Sequence, residues 1–391
     1  MTLFSTNSIY QKVAAFATGV ALSWIVIDAN AAKAAYLYSI TELSPDSRSS
    51  FATDINNLGQ VVGRADGRAF LWENGSMEDL GTLPGHRGSW PHSINDAGQV
   101  VGVTEWVNGD NAVLWQNQTI IDIGSLFSGG ESIGLDINNS GQIVVDSEFS
   151  GTFIMEFDPS GNLVSQRNIR PTNFRGYFSD LNDIGQIIGN KSVPPEFDER
   201  LAFILENDLI TELEPLPGDL SSTATSINNA GQVVGYSNEI FGSSFNPTAV
   251  LWNDSNIINL GTEGTRSLAF DINENGQVVG QTYFGDNTFS GTYATLWQDG
   301  EMFDLNNLIA PNSDDFDILE RATSINNNGQ IVGYGRLNNQ RRAFLATPIL
   351  EPSPTSVPEP STILGLGLFG LASFLKLTLS KQGQGANNIH H

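Results

Sequence analysis

An all-β fold is predicted for this chain: a seven-bladed β-propeller of four-stranded blades, closed by its own N-terminal strand. Three observations predict it. One nine-residue phrase, INNLGQVVG at Ile55–Gly63, begins again at Ile94, Ile137, Leu181, Ile227, Ile272 and Ile325. The steps between copies are 39, 43, 44, 46, 45 and 53 residues, a period typical of propeller-type arrays. Each period holds four short β-like stretches, and the two ends of the array hold complementary parts of one period.

The first element is not part of the array. Lys12 supplies a positive n-region, and Val13–Ile27 is an apolar run broken only by small or hydroxyl residues. Ala29-Asn30-Ala31 and Ala32-Lys33-Ala34 then offer two A-x-A sites. This is the pattern of a secretory signal helix over residues 1–34, cleaved after Ala31 or Ala34, the alternative being an uncleaved N-terminal anchor.

Within one period, strand A is the run into Ser93-Ile94-Asn95, strand B is Gln99–Val103, strand C is Ala112–Trp115 and strand D is Thr119–Ile123. Strand C is echoed as AFLW at Ala69–Trp72, AVLW at Ala249–Trp252 and ATLW at Ala294–Trp297. The A–B connection begins with Asn in every copy, at Asn56, Asn95, Asn138, Asn182, Asn228, Asn273 and Asn326, with a Gly three residues later. Asn bonds its own following backbone and Gly takes the positive-φ position, so these residues are read as tight hairpins rather than ligands.

The ends of the body, residues 35–346, explain each other. The last unit runs through Ala343-Phe344-Leu345, its strand C, and then breaks into proline with no strand D. The mature chain begins with Tyr36–Leu43, which reads as a strand D ahead of the first A–B unit. Pairing the two completes blade seven and removes the exposed edge of an open array. The alternative is an open solenoid, which needs capping units.

Residues 347–360 form a proline-rich linker, on the order of 40 Å long if polyproline II at about 3.1 Å per residue. Ile363–Leu375 is a short apolar stretch, followed by Lys376, Leu377-Thr378-Leu379 and Lys381, then a polar tail over 382–391. With Leu379 included and Lys376 snorkelling, this spans about 25 Å as a helix, a thin transmembrane segment with a cytoplasmic C-terminus by the positive-inside rule.

Charge narrows the partners. The chain carries 18 Lys and Arg against 43 Asp and Glu, a net charge of −25. Such a surface repels nucleic acid and anionic headgroups. Cysteine is absent, which excludes disulfides and thiolate metal sites. Asp271–Gly276 matches half of an EF-hand loop, but its twelfth position is Thr282 and the segment is one of the hairpins. Gly365-x-Gly367-x-x-Gly370 has no preceding strand and is not a dinucleotide site. His86 and His92, six residues apart, read as solvated loop histidines. No catalytic constellation, cofactor motif or metal motif emerges.

In a ring of such blades the A–B and C–D turns share one face, the turn face. The B–C and D–A connections share the other, the loop face, and nearly all length variation falls there. Variable loops on a rigid scaffold are where binding concentrates. The candidate binding residues are Trp90, Trp106, Tyr177, Phe241 and Tyr283, with Asp110, Asp219 and Asp286 among them. Aromatic rings and carboxylates in that mixture stack on sugars or hold a calcium-bridged polysaccharide; the competing reading is that they plug the tapering channel.

Two resemblances follow from the residues. Val357-Pro358-Glu359-Pro360-Ser361-Thr362, the apolar glycine-rich segment and the lysines behind it make residues 357–381 resemble a PEP-CTERM sorting signal. That resemblance implies recognition by an exosortase-type sorting enzyme in Gram-negative bacteria that make extracellular polysaccharide, with cleavage near the motif. The lysines here are two and separated, where the family has an arginine cluster. Residues 51–346 resemble the HAF-repeat extracellular proteins, whose units carry H-A-F-L-W. Here Arg68-Ala69-Phe70, Leu201-Ala202-Phe203 and Arg342-Ala343-Phe344 stand at those positions without the histidine. Together they imply an exported, sorted surface protein; with no catalytic constellation in the residues, the expectation is a binding or structural module in the envelope or exopolysaccharide, with polysaccharide or another surface protein as partner. The rival expectation is a polysaccharide hydrolase or lyase using loop-face carboxylates, since paired acids are the currency of glycoside chemistry.

Overall fold

A computed structural model of the chain describes residues 37–107, 109–192, 200–239, 246–254, 256–261, 266–283 and 291–349. These residues form seven antiparallel four-stranded sheets, the blades of an all-β propeller. The inner strands, A of blades one to seven, are Ser50–Ile55, Gly88–Ile94, Ser132–Ile137, Gly176–Leu181, Ser221–Ile227, Arg266–Ile272 and Ile318–Ile325. Strands B, C and D follow outward in chain order in the first six blades. The signal segment with Ala31 and Ala34, the sorting motif Val357–Thr362, the apolar stretch behind it, Phe241 and Asp286 lie outside the described residues. Among the described residues no helix is long and apolar enough to cross a membrane.

Blade seven is composite. Its strands A to C come from the C-terminal end of the body, and its outermost strand is Leu37–Glu42, paired antiparallel with Gln340–Ile349 from Leu37↔Ile349 to Glu42↔Phe344. Strand C runs three residues past 346, so part of the expected linker belongs to the sheet. Pro348 is tolerated because strand B pairs only as far as Ala346, leaving its missing N–H with no ladder to break.

The alternating strands bury their apolar sides between blades, giving seven clusters among the described residues, one for each blade–blade interface. At the closure, Leu43, Ala52, Ile55, Val61, Phe70, Val332, Ala343 and Leu345 pack together. A fully buried side chain of Phe70 or Leu43 size contributes about 1.5–3 kcal/mol. The tryptophan that ends strand C binds the ring laterally: Trp252 Nε1 donates to Glu214 O and Trp297 Nε1 to Leu260 O, each 2.8 Å away on the preceding blade.

Every inner strand carries a bulge at the same place, between Ala52/Asp54, Pro91/Ser93, Gly134/Asp136, Phe178/Asp180, Ala224/Ser226, Ala269/Asp271 and Ala322/Ser324. A bulge re-aims one side chain and increases local twist. The freed residue bonds the next blade in five cases: Thr53 to Pro91 O, His92 to Gly134 O, Ser179 to Ala224 O, Thr225 to Ala269 O and Thr323 to Ala52 O. Thus His92 is a bulge residue on an inner strand, not a solvated loop histidine. Burial holds its pKa below the ordinary value, and the contact to a carbonyl puts its proton on Nδ1.

Candidate functional site

Two features stand out, one at each end of the channel. At the turn face the hairpin asparagines do more than form turns. Each Oδ1 accepts from its own hairpin, as in Asn228 from Ala230 N and Gln232 N. Each Nδ2 donates to the backbone carbonyl of the matching Asn on the next blade. The chain of donors runs from Asn56 through Asn95, Asn138, Asn182, Asn228, Asn273 and Asn326 back to Asn56, at 2.9–3.2 Å. The next residue builds a second closed ring, each backbone N–H donating to the side-chain oxygen of its counterpart: Asn57, Asp96, Asn139, Asp183, Asn229, Glu274, Asn327 and Asn57 again, at 2.8–3.0 Å.

Inside these rings lies a cavity of about 190 Å³ walled by the same seven segments. Seven acidic residues line it: Asp96, Asp183 and Glu274 from the second ring, and Asp54, Asp136, Asp180 and Asp271 from the inner strands, with Ser93, Ser226 and Ser324 between the latter. Ser324 Oγ is 2.7 Å from both Asp54 Oδ1 and Asp271 Oδ2. One hydroxyl proton serves only one of those oxygens, so the other contact calls for a proton on a carboxyl group. Burial, reinforced by the charge of Asp271, pushes Asp54 up to about 7. Burial and then the Asp136 carboxylate hold Asp180 well above the ordinary range. Among the described residues no three His, Asp or Glu side chains converge as metal ligands.

The loop face divides the candidates among blades. In blade two, Trp90 lies on the inner strand and Trp106 at the end of strand B, 36% and 48% exposed. His86 stacks on Trp106, while Arg64 of blade one lies 5.0 Å over the Trp90 ring. Arg64 Nη2 pairs with Glu105 Oε1 at 2.7 Å. Gly88 keeps space for that pair, since a Cβ there would meet Glu105 Oε2 at 2.5 Å. Asp110 completes the group; partial burial, then Glu105, raise its pKa against the pull of His92, Arg64 and His86. Tyr177 is a separate site on the inner strand of blade four, with Arg200 5.7 Å over its ring. Asp219, in the connection from blade four to blade five, accepts from Ser237 Oγ. Tyr283 closes strand B of blade six beside Gln281 and Arg321. Trp90, Trp106 and Asp110 therefore share one neighbourhood, and Tyr177, Asp219 and Tyr283 do not join it.

Charge divides along the same axis. Lys12, Lys33, Lys376 and Lys381 lie outside the body, and the other 14 Lys and Arg fall at or near the loop-face ends of strands or in loop-face connections. None occupies an A–B or C–D turn, where Glu73, Asp96, Asp183, Asp208, Glu274 and Asp299 stand instead.

Reading the residues alone missed both rings, the channel carboxylates and the arginines stacked on aromatics. A signal for the rings was present: a turn accepts Asp or Ser where this chain repeats Asn seven times, and the next position is Asn, Asp or Glu every time. The arginine contacts carried none, because they join residues from different strands and, for Arg64 on Trp90 and Arg321 on Phe270, from neighbouring blades.

No protein-family model matches the chain, and no characterised protein matches it in sequence. Among solved structures it is similar to virginiamycin B lyase from Staphylococcus aureus, with TM-score 0.49 at 12% identity over 80% of this chain and 100% of that one. A Mycobacterium tuberculosis puromycin-hydrolyzing peptidase gives TM-score 0.50 at 12% identity over 83% of this chain and 56% of the other. The extracellular domain of a hybrid two-component system from B. thetaiotaomicron gives 0.45 at 10% identity over 78% and 39%. At such identities the likeness is one of fold alone.

Proposed function

We propose that this protein is an exported binding module of the cell envelope or exopolysaccharide matrix, taking polysaccharide or a second surface protein on its loop face. Delivery runs through the PEP-CTERM-like segment: the C-terminal helix holds the chain in the membrane until an exosortase-type enzyme processes it near Val357–Thr362. The observation that carries the reading is the blade-two group, where two exposed tryptophans stand beside His86, Arg64, Glu105 and Asp110. Flat exposed rings flanked by charged hydrogen-bonding groups suit sugar rings and their hydroxyls. Chain topology supports the orientation. Leu37 and Ile349 pair at the turn-face end of blade seven, so both ends of the described body lie opposite the loop face.

The test is retention of the host's own exopolysaccharide by the purified protein. Trp90→Ala and Trp106→Ala are each expected to weaken retention at least fivefold with the melting temperature kept; unchanged retention removes the blade-two group as the site. Fractionation of cells lacking the sorting enzyme tests delivery, an unchanged mass and location refuting it. A second reading, cleavage of the polysaccharide, draws on the raised pKa of Asp110 beside Glu105, the environment of a general acid. Falling viscosity during the same incubation favours it; retention without cleavage favours the binder.

A further inference from the structure

This inference rests on the loop face being the glycan-binding face, and adds the charge of the ligand and a second contact point. Between blades six and seven, Arg321 on an inner strand lies with its guanidinium 4.4 Å from the Phe270 ring and 5.8 Å from the Tyr334 ring. Its Nε donates to Gln281 Oε1 at 2.7 Å, which fixes the plane of the group. Arg341, exposed at the start of strand C, lies with its guanidinium 4.5 Å from the Tyr334 ring. Arg266 donates Nε to Asn246 Oδ1, and Arg266 and Arg321 both act on the Tyr283 phenol.

Among the described residues no carboxylate forms an ion pair with Arg321 or Arg341, whereas Arg64, Arg68, Arg167, Arg170, Arg336 and Arg342 each have one. In a chain of net charge −25 that is an uneven use of few cations. A guanidinium stacked on aromatic rings and held by Nε keeps its terminal N–H groups in a rigid fork, the geometry that grips two oxygens of one anionic group. Tyrosine hydroxyls supply a further donor. No Lys or Arg stands in a turn of the turn face, and Arg167, which reaches the Asp208 turn, is paired there, so a polyanion approaches by the loop face.

We infer that the loop-face junction of blades six and seven binds an anionic oxygen group, carboxylate or sulfate, carried by an acidic polysaccharide. Arg321 is the anchor, Arg341 the outer clamp, and Tyr283 and Tyr334 line the approach. The ligand chain then runs along the loop face toward the tryptophans of blade two.

The experiment measures binding of the full chain to polygalacturonate, dextran sulfate and neutral dextran. One charged polymer is expected to bind at least about tenfold more tightly than dextran, which corresponds to about 1.4 kcal/mol. Arg321→Gln loses that margin, Arg321→Lys recovers part of it, and Arg341→Gln loses about threefold, roughly half that free energy. Arg336→Gln, which breaks an ion pair with Glu320 on the same blade, changes nothing. Whether polygalacturonate or dextran sulfate shows the margin identifies the anion. Melting temperatures establish that the Arg321 variants fold, and Arg341 is exposed enough to test the site alone. The inference is overturned if Arg321→Gln and Arg341→Gln bind the charged polymers like the wild type. It also falls, leaving glycan binding intact, if dextran binds as tightly as either polyanion and that binding depends on Trp90. Absence of binding to all three overturns this inference, and only loss of host exopolysaccharide retention as well overturns glycan binding.

Discussion

Asn326→Asp separates two roles that one side chain performs. Asn326 is 4% exposed, and its Oδ1 accepts from Asn328 N at 3.1 Å and Gln330 N at 3.0 Å. Its Nδ2 donates to Gln330 Oε1 at 2.8 Å and, across the closure of the ring, to Asn56 O at 2.9 Å. Aspartate preserves the acceptor and is a good turn residue, so a hairpin role alone predicts little change. The ring role predicts a large one. Two hydrogen bonds worth about 1 kcal/mol each are lost, while the Asn56 carbonyl, now facing a carboxylate, keeps the Gly59 N–H at 3.0 Å and is not left unpaired. The expected loss is about 2 kcal/mol at pH 8. At pH 4.5 it should shrink, because a protonated carboxyl regains one donor. Asn326→Ala, which also removes the acceptor, serves as the reference. The assay is urea unfolding followed by tryptophan fluorescence at both pH values. An Asn326→Asp midpoint equal to that of the wild type at pH 8 would refute the closed ring of side-chain amides.

Two further outcomes follow from the same parts. Gly231 has φ +77° in its hairpin, so Gly231→Ala should cost about 1 kcal/mol by forcing a Cβ into the left-handed region; an unchanged melting midpoint contradicts the turn geometry. The folded carboxyl of Asp54 titrates at about 7 against 3.8 unfolded, so the fold holds a proton that the unfolded chain has released between those values. Stability therefore declines as pH rises through that window, by up to about 4 kcal/mol from this group before channel solvent moderates it. Asp54→Asn should flatten the dependence of the melting temperature between pH 4.5 and 8; a variant curve parallel to the wild type refutes the raised pKa.

The architecture was legible because its signals are local and repeated. Seven copies of an Asn-to-Gly hairpin, the A-x-L-W strand and a misplaced strand D at Tyr36–Leu43 each state part of a propeller, and they agree. Boundaries were less legible: Pro348 reads as a linker until the one-sided pairing of its strand is known. The candidate site was legible only as a list of residue types on a face. Trp90 and Tyr177 belong to inner strands, and the partners that give them chemistry, Arg64 and Arg200, come from other strands, Arg64 from another blade. Spacing along the chain encodes a hairpin or an alternating strand well. It encodes poorly which side chain of one blade meets which side chain of the next, because that depends on the bulges, and an extra residue in a strand leaves no mark on the repeat.

Closure is the claim on which the rings, the channel and the two faces depend, and the cysteine-free chain permits a direct measurement. Ser39 and Thr347 are register partners across the seam of blade seven, and facing residues of an antiparallel pair lie about 4.5–5.5 Å apart, within disulfide reach. The account predicts that Ser39→Cys with Thr347→Cys, oxidised under native conditions, loses both free thiols and runs as one compact monomeric species that melts above its reduced form. A folded double variant that retains two reactive thiols under the same oxidation would contradict it.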